Sequence, residues 1–403
     1  MSIYDEVLSF INTPRPEAFD SLAMAVFRYQ FESVPVYRRF CADRGASPET
    51  VSGFSQIPAV STVAFKYAKV RCTAEAVSSA ALTFTTSGTT KGFTERGRHL
   101  VPRPDIYRAS AIAHLRRMLF PDGRRMAILA LHPTADRMPE SSLSTMLSWC
   151  IEEFGAGAAR CAATRSSVDT AAAIDYLDAM QSHCEPVCIL GTTAASAALF
   201  AAVERRGLPL ALAIGSRLMD TGGAKGQVSP LTPLEVVERA HDTLGIEPAL
   251  VINEYGMTEM CSQLYDATPF NSGFEPHPGY STSYSHDDGA GYGAGHNATY
   301  GTNYRVKLAP LWLRPTALDP VTLNPLDEGR IGLLTFFDLA NVGSISALMT
   351  EDFGMVQGGA VAIMGRTAAG GARGCALSID EFARRETAMQ GELFNRRIIP
   401  DVS

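Results

Sequence analysis

Residues 252–266 read INEYGMTEMCSQLYD, and the fold class turns on how that run begins and ends. The apolar stretch PALVI at 248–252 leads into it, with the length and composition of a buried strand. Asn253, Glu254, Tyr255 and Gly256 then bring a planar aromatic and a flexible backbone to the strand tip, with Thr258 and Glu259 just behind. Tip loops of an α/β sheet are where ligands bind. There Tyr255 offers a ring to stack on a base, and Gly256 lets the backbone come close. Thr258 can reach a phosphate, and Glu259 is a ligand type for magnesium.

Composition sets the outer bounds. The 403 residues are 46% hydrophobic and 19% charged, as in a globular protein of one large domain plus an appendage, or of two domains. A net charge of −7 carries no basic footprint, which argues against nucleic acid as a partner. The start, MSIYDEVLSFINTPRPEAFD, lacks a basic region followed by an apolar core, and no apolar run approaches the ~18–20 residues of a membrane span. The expectation is a cytoplasmic protein. Eight cysteines (Cys41, Cys72, Cys150, Cys161, Cys184, Cys188, Cys261 and Cys375) follow no disulfide rhythm and read as reduced thiols. Cys184 and Cys188 have no second pair or histidine cluster near them, so buried small residues fit better than a metal pair.

Upstream of the opening stretch, residues 1–50 read as helical, with apolar positions at helical spacing over 19–44, packed on the main domain. LTFTTSGTT at 82–90 alternates apolar and hydroxyl residues as a strand does, then turns into the hydroxyl-rich loop Thr86, Ser87, Gly88, Thr89, Thr90. Gly88 permits the turn, and backbone N–H groups with hydroxyls can cradle phosphate oxygens. A helix is expected at 104–119, a strand at 126–131 ending in His132, and a helix opened by Ser141 and Ser142. A strand at 187–190 and a helix at 194–206 follow. Residues 210–214 begin a further strand region, ended by LMDTGGAK at 218–225, where Gly222 and Gly223 leave bare backbone for a flat ligand. The tips after Thr85, Leu190, Met219 and Ile252 are expected to converge on one sheet edge.

From 269 to 303 glycine, tyrosine, serine and histidine dominate, the composition of a mobile loop that could serve as a lid. His286, Asp287, Asp288 and His296 are metal-capable types there, without the setting of a metal site. Beyond it, Asp352 in TEDFG is expected at a strand end, and Gly365-Arg366 is followed after six residues by Arg373-Gly374-Cys375.

Tyr255-Gly-x-Thr-Glu259 and Thr86-Ser-Gly-Thr-Thr90 together resemble the signatures of adenylate-forming enzymes. FRYQFESVPVYRRF, SSLSTML, TGGAKG, GMTEMCSQ, FFDLAN, TEDFG and the RGC run extend the resemblance, in order and nearly end to end, to the LuxE-type acyl-protein synthetases. It implies an α/β fold, with a large domain of mixed sheets flanked by helices over 1–364. A truncated appendage over 365–403 would follow a hinge. It implies ATP and Mg²⁺ as cofactors and a carboxylic acid, of the fatty class, as substrate. An acyl-accepting partner such as a reductase completes the picture.

The implied site sets Thr86, Ser87, Gly88, Thr89 and Thr90 on the β and γ phosphates, Thr258 on the α phosphate, and Glu259 on the metal. Gly222, Gly223, Tyr255 and Gly256 line the adenine slot, Asp352 takes the ribose, and Arg366 steadies the nucleotide. Cys375 is the acyl acceptor, and Arg373 nearby favours its thiolate. The phosphate loop departs from the family: Lys91-Gly92-Phe93-Thr94 stands where a glycine and a lysine are usual, so Lys91 is the candidate to serve the phosphates. The last lysine is Lys307, and 28 residues follow Cys375, which leaves no expected place for the C-terminal lysine of full-length adenylate-forming enzymes. An acyl-CoA ligase, an adenylate donor to a carrier protein, and a non-catalytic subunit that binds acyl groups or a reductase stay open as alternatives.

Overall fold

The computed structural model of the chain describes residues 1–66, 71–72, 80–86, 96–157, 159–222, 231–268, 299–300 and 304–366, with 299, 300, 304 and 366 by their backbone alone. Three helices open it: α1 (Ile3–Asn12), α2 (Phe19–Ser33) and α3 (Pro35–Ala42). The apolar spacing over 19–44 is thus split in two. Pro35 has no N–H to give to the preceding turn and its ring disfavours helical backbone at Val34, so α2 ends there and Pro35 starts α3. These helices pack on the main body as expected: the buried Gln30 amide donates to the carbonyls of Asn341 and Val342.

A two-residue strand, β1 (Val60–Ser61), precedes a separate antiparallel ribbon of β2 (Leu82–Thr85) and β3 (Arg98–Val101). Next comes α4 (Pro104–Met118), then β4 (Ala127–Ala130), α5 (Ser142–Phe154), β5 (Arg160–Cys161), α6 (Thr170–Ser182), β6 (Val187–Thr192), α7 (Thr193–Arg206), β7 (Arg217–Thr221), α8 (Pro233–Leu244) and β8 (Val251–Tyr255). Strands β5, β4, β6, β7 and β8 lie side by side in that order, all parallel. Helix starts follow their sequences: Ser141 caps α5, and Thr232 with Glu235 forms a capping box on α8 behind Pro233.

Parallel strands are covered on both faces, and their alternation sorts the core. Ile128, Cys188, Leu190, Met219 and Ile252 join the core under α4 and α5. Leu129, Ile189, Leu218 and Val251, the neighbours of these residues, join the core under α6, α7 and α8. Each such fully buried side chain contributes about 1.5–3 kcal/mol.

The sheet then turns antiparallel. After β8 come β9 (Leu264–Asp266), β10 (Thr299–Tyr300), β11 (Tyr304–Leu308), β12 (Leu313–Leu318), β13 (Ile331–Asp338), β14 (Ala347–Gln357) and β15 (Ala360–Arg366). Hydrogen bonding runs β8–β9–β11–β15–β14–β13–β12, so one mixed sheet flanked by helices carries both halves of the chain. This is the expected fold class.

Two strands differ from their expected bounds. The strand foreseen at 248–252 begins at Val251, because Pro248 opens a short 3₁₀ turn through Leu250. Residues 210–214 form no strand: the N–H groups of Leu210 and Leu212 go to the carbonyls of Thr243 and Leu244, which the end of α8 leaves without helical partners. The strand of that region is β7.

Candidate active site

Strands β6, β7 and β8 end in register, with Thr192 opposite Thr221 and Thr221 opposite Glu254. Their tips therefore set Thr193, Gly222, Tyr255 and Gly256 along one edge, as three of the four expected tips require. Gly222 has φ +123°, in the region that favours glycine. The buried Glu254 carboxylate takes a hydrogen bond from Thr221 and fills the space beside Gly256, where any Cβ would run into Glu254 Oε1. A side chain at 256 would therefore displace the Glu254 carboxylate from its place beside Thr221.

The fourth tip, after Thr85, corrects the expectation, since β2 belongs to the ribbon and not to the main sheet. Thr86 closes that ribbon: its N–H donates to Gly97 O at 2.9 Å, and its hydroxyl accepts from Gly97 N at 2.8 Å. The ribbon still reaches the site, through His99. This buried imidazole lies across the Phe65 ring and has Nδ1 2.7 Å from the carbonyl of Thr258. Burial pushes its pKa down to about 4. Ser87, Gly88, Thr89, Thr90, Lys91, Gly223 and Cys375 lie outside the described residues.

The turn that carries Thr258 and Glu259 is held from several sides. Asn341 Nδ2 donates to the Glu259 carbonyl at 2.7 Å, while Asp338 accepts from Cys261 N at 3.0 Å and from the Ser262 hydroxyl at 2.6 Å. Asp338 is wholly buried, and burial pushes its pKa up to about 6 against those hydrogen bonds. Both anchors, the donor Asn341 and the acceptor Asp338, come from the DLAN run, which composition alone marks only as a strand end. Cys261 is buried in the turn, its thiol pKa pushed well up by burial. Glu259 is 9% exposed, and no group of three or more His, Cys, Asp or Glu residues among the described ones would hold a metal by itself.

Asp352 does not end its strand. It stands within β14, where the ladder with β15 shifts register just beyond it, and it faces Arg366 across that ladder. Thr350 fixes the spot, its hydroxyl donating to Leu334 O at 2.8 Å and accepting from Asp352 N at 3.0 Å. The Tyr255 hydroxyl donates to Asp352 Oδ2 at 2.7 Å, and the Tyr255 ring leans on Phe336. Sequence motifs far apart, Tyr255-Gly-x-Thr-Glu259 and Thr350-Glu-Asp352, thus meet directly.

Beneath the tips of β7 and β8 is a buried polar platform that the sequence did not announce. Lys307 Nζ on β11 lies 2.8 Å from Asp266 Oδ1 and 2.6 Å from Asn253 Oδ1, and Arg305 pairs with the same Asp266 at 2.9 Å. Asn253 Nδ2 donates to Asp220 O, and Thr193 Oγ1 lies 2.6 Å from Asp220 Oδ2 and 3.3 Å from Gly222 O. Burial raises the Asp220 pKa. The alternating charges of β11 were the available signal, since charge inside a sheet must be paired.

His132 stands just past the end of β4 on the same edge, half-buried, its pKa lowered to about 4 by burial. Cys161, at the end of neighbouring β5, lies 3.6 Å from its carbonyl. Cys188 is buried as expected, but Cys184 is exposed, at the opposite end of the sheet.

No family model matches the chain. It is 38% identical over 79 residues to the long-chain-fatty-acid–luciferin-component ligase of Vibrio harveyi, covering 18% of this chain and 21% of that protein. Against the protein of the same name from Aliivibrio fischeri it is 34% identical over 85 residues, covering 19% and 22%. The chain thus spans about a fifth of the length of the curated relatives it matches. Among solved structures it is similar to a 2-hydroxyisobutyryl-CoA ligase in the postadenylation state, with an acyl-AMP. The TM-score is 0.61 at 16% identity, over 88% of this chain and 69% of that one. An open form of a 2-hydroxyisobutyryl-CoA ligase with 2-HIB-AMP and CoA gives 0.58 at 16% identity, over 88% and 76%. The fold is that of adenylate-forming ligases, and the resemblance to acyl-protein synthetases has a local counterpart in sequence. No helix among the described residues is long and apolar enough to cross a membrane.

Proposed function

We propose that this chain is a ligase that activates a carboxylic acid, of the fatty class, with ATP to an acyl-adenylate and passes the acyl group to its own Cys375 for delivery to a partner such as a reductase. The observation that supports this most is the direct bonding of the separate motif blocks: Asp338 to Cys261 and Ser262, and Tyr255 to Asp352. The relatives named as fatty-acid ligases support the substrate class.

In this reading a carboxylate oxygen of the acid attacks the α-phosphorus, the bond to the bridging oxygen breaks, and pyrophosphate leaves. Catalysis is then mostly positioning and charge neutralisation. Tyr255 with Gly222, Gly223 and Gly256 holds the adenine, Asp352 the ribose, and Arg366 steadies the nucleotide. Thr86, Ser87, Gly88, Thr89, Thr90 and Lys91 serve the β and γ phosphates. In the second half the Cys375 thiolate attacks the acyl carbonyl carbon, and AMP leaves with the electron pair.

The donor set suits a magnesium ion held largely by substrate: the Glu259 carboxylate follows Thr258 in the chain, and no group of three or more His, Cys, Asp or Glu among the described residues would hold a metal by itself. When bound, Mg²⁺ would neutralise phosphate charge. The test is acid-dependent exchange of labelled pyrophosphate into ATP, screened over fatty and aromatic acids, for wild type and for Glu259→Gln. Exchange with some acid in the wild type, and its loss in a folded Glu259→Gln, is expected. No exchange with any acid would leave the non-catalytic reading.

A further inference from the structure

We propose that His99 is a positioning residue that couples the β2–β3 ribbon to the Thr258–Glu259 turn. The inference rests on the adenylate-forming reading of the site. Two successive carbonyls of the turn are held by side chains of different origin. Asn341 takes that of Glu259 from the interior, where it also donates to Ile345 O at 3.1 Å. His99 takes that of Thr258 from the ribbon.

The linkage is specific in its atoms. A carbonyl only accepts, so Nδ1 of His99 carries the proton and donates it. The Phe65 ring, 5.6 Å away at 89°, fixes the imidazole plane, and Phe84 is the cross-strand partner of His99. Two residues before it, Gly97 closes the ribbon tightly against Thr86: a Cβ would come 3.1 Å from Thr86 Cγ2 and 3.3 Å from the backbone of Phe65, so its neighbours would have to give by a few tenths of an ångström. The turn that presents Glu259 is thus held from the ribbon as well as from the interior.

The experiment uses the full chain and three variants. Asparagine places its amide nitrogen where Nδ1 stands, whereas glutamine places it near Nε2 and alanine has none. His99→Asn is expected to keep KM for ATP and the Mg²⁺ requirement within about threefold of wild type. His99→Gln and His99→Ala should raise both by about tenfold, the scale of one buried hydrogen bond. If His99→Ala does not fold, the Asn and Gln pair carries the comparison. Equal behaviour of Asn and Gln, or an alanine variant that matches wild type, overturns the coupling.

Two readouts stand apart from activity. Nitrogen-15 NMR of labelled histidine should find the Nδ1–H tautomer at His99, and amide exchange at 258–261 should quicken in His99→Ala but not in His99→Asn. If wild type exchanges no pyrophosphate with any acid while these two hold, the proposed function fails and the linkage stands. If the Nε2–H tautomer is found, the linkage itself is wrong.

Discussion

The Tyr255 hydroxyl donates to Oδ2 of Asp352 across 2.7 Å, tying the tip of β8 to the middle of β14, 97 positions along the chain. One bond sets the relation between an aromatic face and a carboxylate, the two groups that the proposed function would place on the base and the sugar of one nucleotide. Asp352 is thus oriented by Tyr255 and by the Thr350 hydroxyl on its own N–H.

That relation makes Tyr255→Phe informative, because it keeps the ring and removes only the donor. KM for ATP should rise severalfold in Tyr255→Phe. It should rise more in Asp352→Ala, where a charged hydrogen-bond partner worth about 1.5–3 kcal/mol is lost. In the double variant the two effects should fall short of additive, because the residues touch. Strict additivity of the measured KM ratios would mean that the bond does not orient the carboxylate for ATP.

Lys307, the last lysine of the chain, bears on a different question. Its ammonium is buried and held by Asp266 and Asn253, so it is not placed to swing onto a carboxylate and a phosphate. Lys307→Met should act on stability, by about 3–5 kcal/mol, since removing one partner of a buried ion pair strands the other. Arg305 remains on Asp266 and favours the low end. Urea unfolding measures it. A variant of unchanged stability that has lost adenylation would reverse the assignment and make Lys307 catalytic.

Much of this was readable in advance, and what was not has a common cause. Tyr255, Gly256, Thr258 and Glu259 follow a buried apolar run, and the alternation in 82–85 does specify a strand. Alternation does not name the partner, however, and β2 pairs with β3 rather than with the main sheet. Pro248 cost the expected strand its first residues through a purely local effect. The anchors of the turn were hidden for the opposite reason. His99, Asn341 and Asp338 act on Thr258, Glu259 and Ser262 at separations of 159, 82 and 76 residues, and nothing local in RHLV or DLAN names those partners.

Acid should weaken the fold through its histidines. Burial holds His99 and His132 at about 4 and His114 at about 3, against an ordinary 6.5, so each stays neutral in the folded chain and charges on unfolding. Their contribution is fully present above about pH 6.5 and is lost as pH falls toward 4, at up to about 1.4 kcal/mol per pH unit for each. Asp338, pushed up to about 6 from 3.8, works the other way between those values, and Asp220, which burial also raises, acts in the same direction as Asp338. The clean comparison is His114→Gln, whose amide nitrogen can replace Nε2 on Leu308 O. Between pH 6 and 4.5 its unfolding free energy should fall less steeply than that of wild type, by close to one proton. Parallel curves would show that His114 is protonated in the folded chain.

The final prediction concerns which thiol receives the acyl group. In the proposed function Arg373, two positions before Cys375 in sequence, would favour a thiolate, and a position after Gly365-Arg366 would suit a group that approaches the adenylate once pyrophosphate has gone. Cys261 sits nearer the motif block, yet it is 1% exposed and burial pushes its thiol pKa well up, so it is a poor nucleophile. Cys41, Cys72, Cys150 and Cys188 are buried as well, and Cys184 is exposed at the far end of the sheet. Cys375→Ser is therefore expected to release pyrophosphate and form acyl-adenylate, yet to hold no acyl group labile to neutral hydroxylamine. A slow oxygen ester on the new serine would resist that reagent, which keeps the test clean. If a thioester persists in Cys375→Ser, the acceptor is another cysteine, and Cys161, half-buried at the strand-tip edge, comes before Cys261. If neither protein is acylated while CoA is consumed with the acid, the acyl-CoA ligase reading replaces this one.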